Sequence, residues 1–170
     1  MARTTGNVVL LHGRGLKPPR AQLQDLWFRA LARGLERRAP HLLPGLESMT
    51  RTFLYYGDLS NQFLGEDCRD IEVRSAILES LNQADFSIFP GQTNYSIEQP
   101  PEDIEAYWDL NHPFSQQLRT RVADDIRQIL DTGLDTILFA HSLGAVLIYD
   151  ALGELARSHS SLTLVTLAPL

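Results

Sequence analysis

Cysteine is almost missing from this chain, because Cys68 is the single one among 170 residues. One thiol excludes an intrachain disulfide and every metal site that is built from several cysteines. Lysine is equally scarce, since Lys17 is the sole lysine and arginine supplies the other basic side chains. With 44% apolar residues, we expect the fold to rest on a hydrophobic core. The sequence implies no metal ion and no organic cofactor.

Long apolar runs are missing as well. Near the amino terminus the apolar run covers residues 8–11, which is too short for a signal peptide or a membrane span. We therefore expect no membrane span and a cytoplasmic location. The formal net charge of -6 argues against a nucleic-acid partner, because binding to phosphate groups needs a positive face.

The apolar residues that are present follow two kinds of pattern. Short continuous runs predict strands that are buried on both faces, over residues 8–11, 52–56, 136–140 and 162–167. Apolar residues at three- and four-residue steps predict helices over 21–38, 114–130 and 142–157. The last of these helices is apolar nearly all round at its start, which is typical of a helix enclosed by other elements.

Strands and helices alternate along the chain, except between residues 58 and 113. This alternation predicts an α/β fold in one domain, residues 1–170, with a mainly parallel sheet and helices on both faces. We expect 58–113 to be an irregular insertion with one helix over 67–83. Two interpretations of this insertion are open: a lid or binding loop, and a surface insertion.

The third strand and the last helix meet at the most informative point of the sequence. Residues 140–144 read Ala-His-Ser-Leu-Gly, the small-x-Ser-x-small pattern of a nucleophile elbow. Ala140 and Gly144 are small, as this turn requires, because strand and helix approach closely on both sides of the serine. The helix amino terminus adds N–H groups and partial positive charge. The sequence thus predicts Ser142 as a nucleophile, the alternative being a serine that caps the helix.

A second group of residues follows the first strand, where residues 12–15 read His-Gly-Arg-Gly. We expect a mobile loop here that offers the backbone N–H of Arg14, which forms an oxyanion hole together with the N–H of Leu143. His12 is more readily interpreted as a structural histidine that hydrogen-bonds its own loop than as a catalytic group. The residues expected to support the site are His12, Gly13, His141 and Gly144.

At these residues the chain resembles the α/β-hydrolase superfamily, in particular its esterase and lipase branch. The resemblance rests on the His-Gly loop after the first strand and on the alanine-first elbow, which is similar to that of some lipases. The closing Leu-Val-Thr-Leu-Ala-Pro-Leu is similar to the strand after the elbow helix, with Ala168 in place of the family's glycine. The resemblance covers the core outside 58–113 and implies the amino-terminal core part of a hydrolase fold.

The resemblance also implies residues that this sequence does not supply. In the family an acid and then a histidine follow the nucleophile along the chain. After Ser142 the one histidine is His159, near the far end of the same helix, which also carries Asp150 and Glu154. The upstream candidates are Asp58, His112 and His141, and none of them matches a family position. We therefore expect the acid and the histidine to lie outside this sequence.

These observations predict a serine hydrolase that acts on an ester or related acyl bond of a small molecule. Two alternatives are open. One is a hydrolase-like module that binds a ligand without turnover, and the other is a fragment that needs a second chain to complete the triad. We expect one side of the last strand, 162–167, to be unpaired, which favours self-association or binding of a partner there.

Overall fold

A computed structural model of the chain describes residues 6–65, 102–155 and 162–167. Its strands are β1 (Asn7–Leu11), β2 (Thr50–Leu54), β3 (Thr136–His141) and β4 (Leu162–Leu167). Its helices are α1 (Arg20–Arg38), α2 (Leu43–Ser48), α3 (Gly57–Leu64), α4 (Glu102–Trp108), α5 (Pro113–Leu130) and α6 (Leu143–Leu155). A short 3₁₀ helix at Pro40–Leu42 connects α1 to α2.

The four strands form one parallel sheet in the order β2-β1-β3-β4. β1 lies between β2 and β3, so that Val9 is opposite Thr52 on one side and Leu138 on the other. All five residues of β1 are buried, because β1 has a neighbouring strand on each side and helices over both faces. The predicted α/β fold with a parallel sheet is confirmed.

Helices cover both faces of this sheet, since successive side chains of a strand point to opposite sides. On one face, Val8 and Leu10 pack in a core with residues of α1 and α2. On the other face, Val9 and Leu11 pack in a second core with α5 and α6. Of the five residues that the sequence pattern indicated on α5, four are buried, namely Leu118, Val122, Ile126 and Leu130, and the fifth, Ile129, is partly buried.

Prolines and a glycine mark the ends of the two longest helices. α1 begins directly after Pro19 and ends before Pro40. α5 begins with Pro113, at a position where the N–H that proline lacks has no helical partner in any case. After α5 ends, Gly133 has a φ of 67°, a left-handed conformation that glycine adopts without steric cost. The boundaries of both helices agree with the prediction to within one residue.

Residues 58–113 depart from the prediction in their described parts. We expected irregular chain with one helix over 67–83, which lies outside the described residues. The structure has α3 at the start of this range and α4 at its end. α4 buries Ala106 and Tyr107 in the same core as α5 and α6. A seven-residue helix is too short for its period to be recognised in a sequence, and α4 belongs to the packed fold rather than to a surface insertion.

Candidate active site

The strand order creates a topological switch point between β1 and β3. α1 follows β1 onto one face of the sheet, and α6 follows β3 onto the other, so the chain leaves two neighbouring strands in opposite directions. Ligands of open parallel sheets bind at such a point, beyond the carboxyl ends of the strands. The β1 loop (residues 12–17) and Ser142 lie at these two ends.

Ser142 is the one residue between the end of β3 and the start of α6. Its φ is 53°, and no other non-glycine residue in the described ranges has a positive φ. This left-handed conformation costs roughly 1–2 kcal/mol for a residue with a Cβ atom. A serine that caps a helix has an extended backbone instead. The backbone of Ser142 therefore has the conformation of an elbow and not that of a cap.

Two glycines allow the β1 loop and the start of α6 to lie against each other. A Cβ atom on Gly144 would lie 2.4 Å from the carbonyl oxygen of His12. A Cβ atom on Gly13 would lie 2.9 Å from the Cβ of Ser142 and 2.8 Å from Nδ1 of His141. Cβ atoms do not approach other heavy atoms this closely in proteins, so a larger residue at either position would push the loop and the helix apart. The structure thus brings Gly13 and Gly144 close to Ser142, and of these two residues the elbow pattern had included Gly144.

Two backbone N–H groups are the candidates for binding an oxyanion beside Ser142. Leu143 is the first residue of α6, and the N–H groups of a first helical turn have no partner within the helix. The helix dipole adds partial positive charge at the same place. Arg14 follows Gly13, whose backbone packs against the serine. The assignment of the N–H groups of Arg14 and Leu143 to an oxyanion hole stays a prediction.

We expected the β1 loop to be mobile, but it is fastened to α3 and α4. The carboxylate of Asp103 accepts Nε of Arg14 at 3.0 Å, Nη2 of Arg14 at 2.8 Å and the N–H of Gly15 at 2.8 Å. Asn61 accepts the N–H of Lys17 at 2.7 Å and donates to its carbonyl at 2.9 Å. The ammonium of Lys17 donates to the carbonyl of Arg14. These bonds hold the loop at Arg14, Gly15 and Lys17.

Asp103 and Asn61 are the residues of this region that the sequence analysis missed. Asp103 is 89 positions from Arg14, and Asn61 is 44 positions from Lys17. No local pattern reports contacts between segments so far apart. The one signal is the acidic start of α4, which is also what an ordinary helix start looks like. Part of the range interpreted as an insertion therefore supplies the anchors of the β1 loop.

His12 is a structural histidine, as the sequence analysis favoured. Its Nε2 accepts the N–H of Tyr56 at 3.2 Å, so the ring proton is on Nδ1, which donates to the carbonyl of Gly13 at 2.8 Å. Burial lowers the pKa of His12 to about 3 despite this hydrogen bond. The ring is therefore neutral at pH 7, and neither nitrogen is left to take a proton from Ser142.

His141 precedes the serine and faces the α1 side of the sheet. Its ring centroid lies 6.2 Å from that of Trp27, and its Nδ1 lies close to Gly13. Burial lowers the pKa of His141, and the positive charge of Lys17 lowers it further. The ring points into the fold, as expected from the alternation of side chains along β3. The ring of His141 lies beside Gly13, and among the described residues no hydrogen bond joins it to the hydroxyl of Ser142.

The two other upstream candidates are held by partners of their own. His112 caps α5, because its Nδ1 accepts the N–H of Phe114 at 3.2 Å. Asp58 forms an exposed ion pair with Arg121, with 3.3 Å between Nη2 and Oδ2. Neither candidate contacts Ser142 through a hydrogen bond. The structure supports the sequence analysis in assigning neither of them to a triad.

The candidates downstream of Ser142 are no closer to a catalytic arrangement. Asp150 on α6 accepts the hydroxyl of Tyr107 and pairs with Arg119 at 2.5 Å. It lies two turns along the helix from Ser142, about 12 Å along the axis. His159 lies outside the described residues. In the part of the chain that the structure describes, no hydrogen bond joins Oγ of Ser142 to a histidine or a carboxylate.

Comparison with protein-family models, with curated proteins and with solved structures finds no match to this chain. The resemblance to the α/β hydrolases therefore rests on the residues of the elbow and of the β1 loop. Among the described side chains, no group of three or more histidines, cysteines or acids is arranged to hold a metal ion. No described helix combines the length and the apolar character that crossing a membrane requires.

Proposed function

We propose that this protein is a serine hydrolase that acts on an ester or related acyl bond, with Ser142 as its nucleophile. The observation that carries this proposal is the φ of 53° at Ser142, between β3 and α6. Non-glycine residues persist in this conformation where the surrounding structure over-determines it, and such residues cluster at active sites. Here the surrounding structure is the close approach at Gly13 and Gly144.

The substrate is a small molecule with an acyl group, which binds beyond the carboxyl ends of β1 and β3. Oγ of Ser142 attacks the carbonyl carbon, and the negative charge moves to the carbonyl oxygen. The N–H groups of Arg14 and Leu143 stabilise that oxygen. The intermediate expels the alcohol to leave an acyl-serine, and water then hydrolyses the acyl-serine to the acid and regenerates Ser142.

The proton of Ser142 needs an acceptor in this scheme. His12 has no spare ring nitrogen, and the ring of His141 packs beside Gly13 and Trp27. The proposal therefore assigns the general base to a histidine beyond the described residues, in this protein or on a second chain. This histidine takes the proton from Ser142 and delivers it to the departing alcohol.

A module that binds without turnover is the second candidate. The observation in its favour is that Ser142 has no hydrogen bond to a base among the described residues. Without a base, binding and oxyanion stabilisation remain, and the rate falls by several orders of magnitude. The two candidates thus differ in the reactivity of Ser142, not in the shape of the site.

Labelling with a fluorophosphonate probe tests the proposal, because the probe reacts with activated serines. We expect one phosphonyl group on Ser142, identified by mass spectrometry of peptides. The Ser142→Ala variant, with an unchanged circular dichroism spectrum, is expected to remain unlabelled. The half-buried Ser48 serves as an internal control that should stay unmodified.

Two results distinguish the alternatives. Labelling of Ser142 that requires a second chain indicates that this chain needs a partner to complete its triad. A folded protein in which Ser142 stays unlabelled under every condition contradicts the hydrolase proposal and favours the binding module.

A further inference from the structure

Asp103 is the one carboxylate among the described residues that is fully buried. A buried charge persists only where its partners offset the loss of hydration. The two partners of Asp103 are Arg14 and Gly15, both in the β1 loop. The carboxylate of Asp103 on α4 therefore binds two adjacent residues of the loop that packs against Ser142.

The contacts of Asp103 fix one peptide plane of this loop. The peptide that joins Arg14 to Gly15 has its N–H bound by Oδ2 of Asp103 and its carbonyl bound by the ammonium of Lys17. Oδ1 of Asp103 holds the guanidinium of Arg14 through both Nε and Nη2. Because the side chain and the following peptide of Arg14 are both held, little freedom remains for its own N–H to turn.

Stability alone does not explain a buried charged pair at this position. Well-packed apolar residues of similar volume are often as stabilising as a buried ion pair, because both ions lose their hydration. An ion pair in which the guanidinium donates two hydrogen bonds to the carboxylate also fixes the orientation of both groups. The orientation that Asp103 defines is that of the loop beside the candidate nucleophile.

We propose that Asp103 is a positioning residue of this site, which directs the N–H of Arg14 toward the oxyanion by fixing the Arg14–Gly15 peptide. This inference rests on the proposed hydrolase function. Asp103 does not touch the substrate, and its effect is transmitted through the backbone of the β1 loop.

The test measures how fast the fluorophosphonate reacts with Ser142 and, separately, how tightly the probe binds before it reacts. In the Asp103→Asn variant, the one remaining oxygen faces the charged guanidinium of Arg14, and an NH2 group replaces the oxygen that accepts the N–H of Gly15. We expect the maximal inactivation rate to fall about 10- to 100-fold, because a displaced oxyanion donor costs rate and not initial binding. The inhibition constant should stay within about twofold.

Two further variants control for chemistry and for rescue. Asp58→Asn makes the same chemical change in an exposed ion pair and is expected to leave both constants unchanged. The double variant Asp103→Asn with Arg14→Gln places two amides against each other, so that one oxygen remains for the N–H of Gly15. We expect this double variant to recover the inactivation rate to within about threefold of the starting protein.

The exchange rate of the Gly15 amide hydrogen, measured by NMR, gives a readout that does not depend on reactivity. We expect strong protection in the starting protein and loss of protection in Asp103→Asn. If Asp103→Asn does not fold, the Arg14→Lys variant is tested instead. Lysine keeps the positive charge but lacks the planar guanidinium that donates two hydrogen bonds to Asp103. The expected change is again a lower rate with an unchanged inhibition constant.

The outcomes separate this inference from the function on which it rests. If the starting protein does not react at Ser142, both fail. If it reacts and a folded Asp103→Asn variant reacts equally fast, the function stands and the positioning role is wrong. If rate, binding and melting temperature all fall together, Asp103 only maintains the fold, and the positioning role is again wrong.

Discussion

Two buried ionisable side chains hold the β1 loop beside Ser142, and each does so in a different chemical state. His12 is neutral, because both ring nitrogens are occupied by backbone groups. Asp103 bridges the guanidinium of Arg14 and the N–H of Gly15. The histidine fixes the start of the loop, and the carboxylate fixes its middle.

The state of His12 predicts how stability depends on pH. Its pKa is about 3 in the folded protein, whereas in the unfolded chain it has the ordinary value of about 6.5. Between these values the unfolded chain binds a proton that the folded protein does not. The free energy of unfolding should therefore fall as the pH falls from about 6.5 to about 3, by up to about 5 kcal/mol from this residue.

Urea unfolding at several pH values measures this effect, with His12→Gln as the test variant. The variant should be less stable at pH 7 but should lose less stability than the starting protein on acidification. His41→Gln, at an exposed position, is the matched control and should keep the original slope. An equal slope in all three proteins would mean that His12 is not held neutral by the fold.

At this scale the sequence predicted some residues and missed others for a physical reason. Ser142 and Gly144 were recognised because a sharp turn imposes small residues at fixed spacing, and Gly13 was recognised from the His-Gly loop after the first strand. The role of Asp103 was not recognised, because it depends on a contact across 89 positions. Steric requirements between neighbouring residues can be recognised from their spacing in the sequence, whereas contacts between distant segments cannot.

Among the elements, α4 connects the β1 loop to the core through hydrogen bonds at both of its ends. Asp103 lies on it, and Tyr107 of the same helix donates its hydroxyl to Asp150 of α6. The ring of Tyr107 lies under the guanidinium of Arg119, 4.2 Å from its centroid. Burial raises the pKa of Tyr107, so the hydroxyl keeps its proton and remains a donor at neutral pH.

This arrangement predicts the effect of removing one oxygen atom from α4. The Tyr107→Phe variant loses the hydrogen bond to Asp150, which keeps Arg119 as its partner. We expect the free energy of unfolding in urea to fall by about 1–2 kcal/mol. Tyr149→Phe is the matched control, because that side chain is 73% exposed, and its effect should stay within about 0.5 kcal/mol. Equal effects of the two changes would contradict the role assigned to Tyr107.

The long helices were predictable where the short helices were not. α5 has eighteen residues, enough for five turns of apolar periodicity to appear in the sequence. β1 was recognised from a continuous apolar run. α4 has seven residues and lies in a range rich in proline and aromatic residues. Its helical character follows from packing against α5 and α6, which a pattern within seven residues does not report.

In the whole molecule, the order β2-β1-β3-β4 determines where the site lies. The alternation of strands and helices predicted a parallel sheet, but it did not predict which strands are neighbours. The structure makes β1 and β3 neighbours, and this places the β1 loop beside Ser142. β4 pairs with β3 and with no other described strand, so the expected association through its outer side stays a prediction.

The central claim is that Ser142 and the β1 loop together form a site for a tetrahedral acyl intermediate. A crystal structure of the protein after reaction with the fluorophosphonate tests it most directly, since the phosphonyl oxygen imitates the oxyanion. We predict a phosphonyl group on Oγ of Ser142, with this oxygen about 2.7–3.1 Å from the backbone nitrogens of both Arg14 and Leu143. A phosphonyl oxygen that points to solvent, away from both nitrogens, would contradict the account.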